Sequence, residues 1–366
     1  GLFVPPLDYE QEFDDQERRE YEAQRDGFAT TGSPRLPQGL NLGMQLHYLE
    51  RTTGPWPDDL RILPWPQYWA WRLSGVMASE VTSLGCHTDL WNPSERTFSE
   101  LARRRGWAQR MAPLRRAAEP LGTLTPHWVS RTGLPKDCVV FCGLHDSNAA
   151  LLAARGHAEI RAHDATVLST GTWFVAMRSL GPGGTVDLSS LDEARDCLIN
   201  VDVESRPVPS ARFMGGREAE LIGNVNIHAL TVNYDPERLI ARLRALLDAG
   251  AAALPTFARG VGPFPQAVGT WHNKPDDPGD QRAIAGLYLA LMADACLDLI
   301  GSRDRLLIEG RFAEAVIFTR ALARLRPHQK IFVSNAHDDV TYGALRLVEP
   351  SLLPSAPLVP VEPLPV

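Results

Sequence analysis

The sequence predicts an α/β protein of two lobes, on three observations. Its second half alternates short apolar, strand-like runs with long amphipathic helical stretches. The chain has 366 residues, more than one compact domain usually holds. Hydrophobic residues make up 44% and charged residues 22%, which supplies apolar side chain for two cores. The net charge of −7, with no basic stripe, argues against a nucleic-acid binder. No apolar run approaches the ~20 residues needed to span a bilayer, and Gly1–Pro6 lacks the parts of a secretion signal. The five scattered cysteines read as free thiols of a reducing compartment, so a cytoplasmic protein is expected.

In chain order, the opening segment GLFVPPLDYE reads as the end of a strand already under way, and a missing N-terminal portion is expected. Gln11–Arg25 carries a helical charge pattern and Thr30–Pro34 a turn. Leu42, Leu46 and Leu49 share one face of a helix over Leu42–Arg51. Pro64, Trp65 and Pro66 are expected to interrupt the chain before a helix Gln67–Leu73, closed by Gly75. Its aromatics Tyr68, Trp69 and Trp71 are expected in the core. Thr97–Arg105 and Ala108–Arg116 read as short basic surface helices. The turn-rich, proline-marked stretch Gly122–Asp137 separates the lobes, 1–133 and 134–366. The second lobe opens with a buried strand, Val139–Cys142, and a helix, Ser147–Ala154. Strand pairs follow in Thr166–Arg178 and Ala194–Val203. Helices are expected at Pro236–Ala249, Asp280–Ile300 and Glu314–Leu325, with strands at Arg305–Ile308 and Lys330–Val333. The tail from Pro350 is proline-rich and extended. There is no short-period repeat.

Four places could carry chemistry. In CVVFCGLHDSNAALLAA, Cys138–Ala154, a strand, a tight turn and a helix place Asp146 at a helix N-terminus, where a carboxylate is favoured. It reads either as a cap or as a general base at the mouth of a cleft. In Ser169-Thr170-Gly171-Thr172, hydroxyls flank a glycine between two apolar strands. That is either an ordinary turn or a set of backbone and hydroxyl donors for a phosphate. In LLIEGRFAEA, Leu306–Ala315, Gly310 would admit a close backbone or a flat ligand, and Arg311 could serve phosphate or pair with Glu309 or Glu314. Phe213–Glu218 opens a helix with a glycine pair, as a loop and cap would. Cys138, Cys142 and His145 lack the spacing of a zinc site. Cys86 and His87 are adjacent, which does not align imidazole and thiol on one face of a helix or strand. The nucleophile elbow, the GxGxxG fingerprint and the Walker A loop are all absent.

The order of these motifs resembles the FGGY carbohydrate kinases, of the actin-like, ribonuclease-H-like ATPase superfamily. PPLDYE at Pro5–Glu10 is similar to a sugar-contacting segment, and PWPQYWAWRLSG at Pro64–Gly75 to the family's aromatic helix. CGLHDSNAA at Cys142–Ala150 resembles the segment of the catalytic base, and LSTGTWFVA at Leu168–Ala176 the hairpin that holds ATP phosphates. IEGRFAEA at Ile308–Ala315 stands where the family has a triple-glycine adenosine motif, and SNAHDDVTYGALRL at Ser334–Leu347 resembles the closing segment. The resemblance implies a two-lobed actin-like fold whose first lobe is incomplete at its N-terminus, because the family's N-terminal phosphate-binding hairpin has no counterpart here.

It further implies ATP-dependent phosphorylation of a sugar hydroxyl, with ATP and Mg²⁺ and with Asp146 as base. Asp8, Tyr9, Asn41 and His145 would then contact sugar, and Ser169, Thr170, Gly171, Thr172, Gly310 and Arg311 would contact ATP. No resident metal site is expected. His145 before Asp146 is similar to the L-rhamnulose and L-fuculose kinases and leans the substrate toward a ketose. The implied partner is a small sugar, with neither nucleic acid nor membrane, and a homodimer stands open beside a monomer. The departure at Glu309-Gly310-Arg311 keeps a second reading open, a non-catalytic sugar-binding relative. A sugar-independent ATPase is a third.

Overall fold

A computed structural model describes residues 1–223, 235–334 and 340–365. The second half is built on a seven-stranded mixed sheet. Its order is Val359–Pro360, Lys330–Val333, Arg305–Gly310, Ala165–Thr170, Phe174–Ser179, Pro207–Phe213, Cys197–Val201. Arg305–Gly310 pairs in parallel with both Lys330–Val333 and Ala165–Thr170, and the remaining pairs are antiparallel.

The sheet explains why its strands read as continuous apolar runs: both faces are covered. Side chains alternate between them. Leu168, Leu306 and Ile308 join one core with the helices Pro278–Leu299 and Val316–Leu325. Val167 and Leu307 turn to the other face, under Leu151 and Ala154 of the helix Asp146–Ala154. Each fully buried aliphatic side chain contributes about 1.5–3 kcal/mol, so a one-residue slip of register would be costly on both faces at once. The long helix begins at Pro278, two residues before the expected Asp280. Asp277 caps it by accepting from the Asp280 amide at 3.0 Å, and proline suits the first helical position.

The first half is mainly helical, with the two-residue strands Trp91–Asn92 and Thr97–Phe98 as one pair. Its core gathers Tyr21, Met44, Leu46, Leu84, Leu90, Trp91, Leu101 and Trp107, and Val201 of the large sheet reaches into it. The helix Leu42–Thr53 stands where expected.

Several expectations are corrected. Pro64–Pro66 does not interrupt the chain; it starts the helix Trp65–Ser74, whose first turn needs no proline N–H. The aromatics of that helix are not core, since Trp65 is 57% and Trp69 45% exposed and they pack with Tyr68 on the outside. The basic helices shrink to Glu100–Arg104 and Trp107–Arg110, and Leu101 and Trp107 bury rather than face solvent. Val139–Phe141 is a short strand with Val139 exposed, paired with Pro120–Thr123 across residue 134, the expected boundary. Val140 and Cys142 pack with Ala70 and Ala78, so this segment shares a core with the first half. In the tail, Val359–Pro360 adds an edge strand to the sheet. No helix among the described residues is long and apolar enough to cross a membrane, and the five cysteines are free.

Candidate active site between the sheet ends and the Gly143–Asp146 turn

In open α/β sheets ligands collect beyond the carboxyl ends of the parallel strands. Here Ala165–Thr170 and Arg305–Gly310 end together, with Glu309 opposite Ser169 and Gly310 opposite Thr170. Thr170 Oγ1 donates to the Glu309 carbonyl at 2.6 Å and accepts from the Phe312 amide at 3.0 Å, tying the turn after Gly310 to the strand beside it. Gly310 has φ 82° and lies so close to Thr170 that a Cβ would overlap its carbonyl. Only glycine fits that position. Ser169 Oγ donates to the Glu309 carboxylate, whose pKa burial pushes up to about 6.

Beyond Thr170 the chain turns through Gly171 and Thr172, with the Gly171 amide bonded to the Trp173 carbonyl at 3.0 Å. The Thr172 carbonyl accepts from the Gly216 amide at 3.1 Å, which sets the hairpin tip against the start of the helix Gly215–Gly223. Phe174, Phe213, Phe312 and Phe318 form the buried floor beneath these turns. Five of the expected ATP-contacting residues, Ser169–Thr172 and Gly310, are thereby brought together, and Arg311 follows in the turn Arg311–Glu314. The glycine pair at Gly215–Gly216 belongs to the same cluster, which the sequence had marked only as a cap.

The helix Asp146–Ala154 packs along the same two strands, and a short connection through Ala158–Arg161 returns the chain into Ala165–Thr170. Asp146 is not the cap. His145 occupies the N-cap position without a side-chain bond, and Asp146 is the first helical residue. Its side chain is 74% exposed, accepts from the Ser147 amide at 2.6 Å, and lies 3.3 Å from His145 Nδ1.

The turn before it, Gly143 to His145, is held from the first half of the chain. The His145 amide donates to Thr82 Oγ1 at 2.9 Å, and Gln67 Nε2 reaches the carbonyls of Cys142 and Gly143, each at 3.4 Å.

Sequence reasoning missed the surroundings of His145. Cys86, at 6% exposure, interacts with the imidazoles of both His145 and His87. Adjacency did not keep His87 from its neighbour, because His87 adopts φ 41°, outside any helix or strand geometry. Its Nδ1 donates to the Leu40 carbonyl at 2.9 Å. Burial alone would hold His145 below the ordinary imidazole range; the Cys86 thiolate, then Asp146 and Glu80, override it and raise the pKa. Burial likewise opposes ionisation of Cys86, and the two imidazoles override it and pull the thiol down. Both members of this pair are therefore charged near neutrality. Cys86→Ser is expected to lower the midpoint at which His145 titrates, read by NMR of the imidazole protons. An unchanged midpoint would contradict the pairing.

The remaining expected sugar contacts lie on the other side of His87. Asn41 is 3% exposed, and its amide is engaged inside the protein: Nδ2 donates to Ser33 Oγ, Pro34 O and His87 O, and Oδ1 accepts from the Leu36 amide. It supports the backbone of His87. Asp8 Oδ1 accepts from the Glu10 amide, and the Tyr9 carbonyl from the Gly39 amide, so this segment packs beside Gly39 and Leu40. Tyr9 is 61% exposed. Of the closing segment Ser334–Leu347, residues 335–339 lie outside the described residues. The helix Val340–Val348 packs on Asp146–Ala154, with Gly343 against the Ala149 carbonyl.

The model of the family "Carbohydrate kinase FGGY, C-terminal domain" matches residues 162–356. No curated protein matches the chain. The crystal structure of a carbohydrate kinase from Novosphingobium aromaticivorans is 54% identical, with a TM-score of 0.93, covering 100% of this chain and 79% of that one. A xylulose kinase from Rhodospirillum rubrum is 17% identical, with a TM-score of 0.69 and coverage of 95% and 73%. A gluconate kinase from Lactobacillus acidophilus is 14% identical, with a TM-score of 0.64 and coverage of 91% and 68%. These last two show a shared fold under names with different sugars.

Proposed function

Because the chain belongs to the FGGY carbohydrate kinases and is a sugar kinase, we propose that it phosphorylates a ketose hydroxyl with Asp146 as general base. The observation that supports this reading is the setting of Asp146: an exposed carboxylate in the first turn of a helix that packs on Val167 and Leu307, in the two strands that end at Thr170 and Gly310. A base must reach the hydroxyl it deprotonates, and the positive end of the helix dipole favours an ionised carboxylate there.

Phosphoryl transfer asks for alignment and charge neutralisation more than for covalent help. In this reading ATP lies over the strand ends. The amides and hydroxyls of Thr170, Gly171 and Thr172 face its phosphates, and Gly310 and Arg311 border the nucleoside. The Ser169 hydroxyl, already donating to Glu309, shapes the wall of that site. The hydroxyl of the bound sugar gives its proton to Asp146 as its oxygen bonds to the γ-phosphorus and the bond to the ADP oxygen breaks. The His145 imidazolium, close to both Asp146 and the sugar, adds positive charge.

Among the described residues no cluster of three metal-ligating side chains occurs. Mg²⁺, which usually keeps several waters and binds through substrate phosphates, fits as part of the ATP complex. It would supply charge neutralisation on the phosphate oxygens. Asp8, Tyr9 and His145 are the residues proposed to read the sugar, and Asn41 supports them through His87.

The test is an ADP-release screen over L-rhamnulose, L-fuculose, L-ribulose, D-xylulose and glycerol. A ketose is expected to give the highest kcat/KM, and L-rhamnulose or L-fuculose to lead. Preference for glycerol would contradict the ketose assignment, and release that ignores sugar would favour an ATPase.

A further inference from the structure

Behind His145 lies a buried carboxyl that the reaction as described leaves unused. Glu80 is 1% exposed and caps the short helix Val81–Leu84. All of its donors converge on one oxygen. Oε2 accepts from the Thr82 amide at 2.9 Å, the Thr82 hydroxyl at 2.5 Å and the Ser83 amide at 3.3 Å. Oε1 is buried and has no partner among the described residues. Thr82, itself 0% exposed, donates its hydroxyl proton to Glu80 and accepts from the His145 amide. A single file of hydrogen bonds thus runs from Glu80 through Thr82 to the backbone of the residue preceding Asp146.

We propose that Glu80 is a positioning residue for the base: through the Thr82 hydroxyl it fixes the His145 backbone, and with it the direction in which Asp146 leaves the helix start. This rests on the reading of Asp146 as the base. The physical reason is the direction of the relay. The Thr82 hydroxyl has one proton, and an ionised Glu80 holds that proton in a charge-assisted bond. The lone pairs of Thr82 Oγ1 are then turned toward the His145 amide. Protonation weakens the acceptor, and a neutral Glu80 would place its proton on Oε1, where no described residue accepts it. The charged and titratable groups facing Glu80 are His145 on the opposite turn and Cys142 at the end of the neighbouring strand, with Glu119 and Arg115 beyond Cys142. Burial raises the Glu80 pKa to about 7, against the lowering effect of its hydrogen bonds. The ionised, positioning form is therefore lost as pH falls through about 7. The relay tightens as pH rises through the same value.

Thr82→Val, Thr82→Ser and Glu80→Gln separate this role from a merely structural one. Thr82→Val and Glu80→Gln are expected to lower kcat about ten- to hundredfold, with the KM for ATP within about twofold. Thr82→Ser, which keeps the hydroxyl, should retain kcat within about twofold. Glu80→Gln should also remove the acid limb near pH 7 from the kcat profile. Hydrogen exchange at the His145 amide, read without turnover, should accelerate in Thr82→Val and in Glu80→Gln but not in Thr82→Ser. Wild-type kcat, an unchanged pH limb and a protected His145 amide in Glu80→Gln overturn the proposal, as does equal loss in Thr82→Ser. Should Thr82→Val not fold, Glu80→Gln and Thr82→Ser still decide the matter. Retained activity in Asp146→Asn overturns the base assignment instead, and leaves the exchange result as an independent measure of the relay.

Discussion

Asp146→Asn is expected to lower kcat about 10²–10⁴-fold, the range typical of a lost general base, while the KM for ATP changes by less than about threefold. The substitution keeps the shape of the side chain. An asparagine Oδ1 still accepts from the Ser147 amide, so the helix start survives. Because Asp146 is exposed, a stability change beyond about 0.5 kcal/mol is not expected. What disappears is the acceptor for the hydroxyl proton. The positive charge on His145 also loses a partner at 3.3 Å. Steady-state kinetics with the best sugar, beside a thermal melt, reads both quantities. Full sugar-dependent ADP release by a well-folded Asp146→Asn protein would remove the base from the mechanism.

Gly310→Ala is expected to damage the nucleotide site while leaving sugar binding in place. The glycine sits at φ 82° and ψ −168°, a conformation that costs a residue with a side chain about 1–3 kcal/mol. The added methyl would also overlap the Thr170 carbonyl, a backbone group that cannot step aside cheaply. Relief requires the two strand ends to part. Parting them breaks the bonds that Thr170 makes to the Glu309 carbonyl and the Phe312 amide. ATP affinity should fall at least about tenfold, one factor of ten being about 1.4 kcal/mol. Tm should fall by about 2–4 °C per kcal/mol lost. Calorimetric titration with a non-hydrolysable ATP analogue measures the first effect, and unchanged affinity would show that the strand ends do not form the nucleotide site.

How far the sequence reached depends on whether a feature is carried by periodicity or by geometry. The helices Pro236–Asp248 and Pro278–Leu299 and the strands Arg305–Gly310 and Lys330–Val333 lie close to their expected bounds, because repeated apolar positions average over local exceptions. The aromatic run Tyr68–Trp71 misled for the opposite reason: residue type alone says apolar, but only packing says which side of a helix has a neighbour. The site was legible where it was local. Ser169–Thr172 and the Gly310 turn were each marked in sequence, and the parallel register brings them together. Cys86, Glu80 and Thr82 were not legible, since their contact with His145 depends on a left-handed His87 and on segments distant in the chain. Asn41 was expected to contact sugar, and only the fold shows that four internal partners occupy its amide.

The central claim is that ADP appears because a phosphoryl group has moved to sugar. The direct measurement is ³¹P NMR of a reaction with ATP, Mg²⁺ and the best ketose, following ADP, sugar phosphate and inorganic phosphate together. The account predicts one sugar phosphate for each ADP, no inorganic phosphate above the no-enzyme control, and loss of both products in Asp146→Asn. ADP accompanied by inorganic phosphate, at a rate indifferent to the sugar, would contradict it.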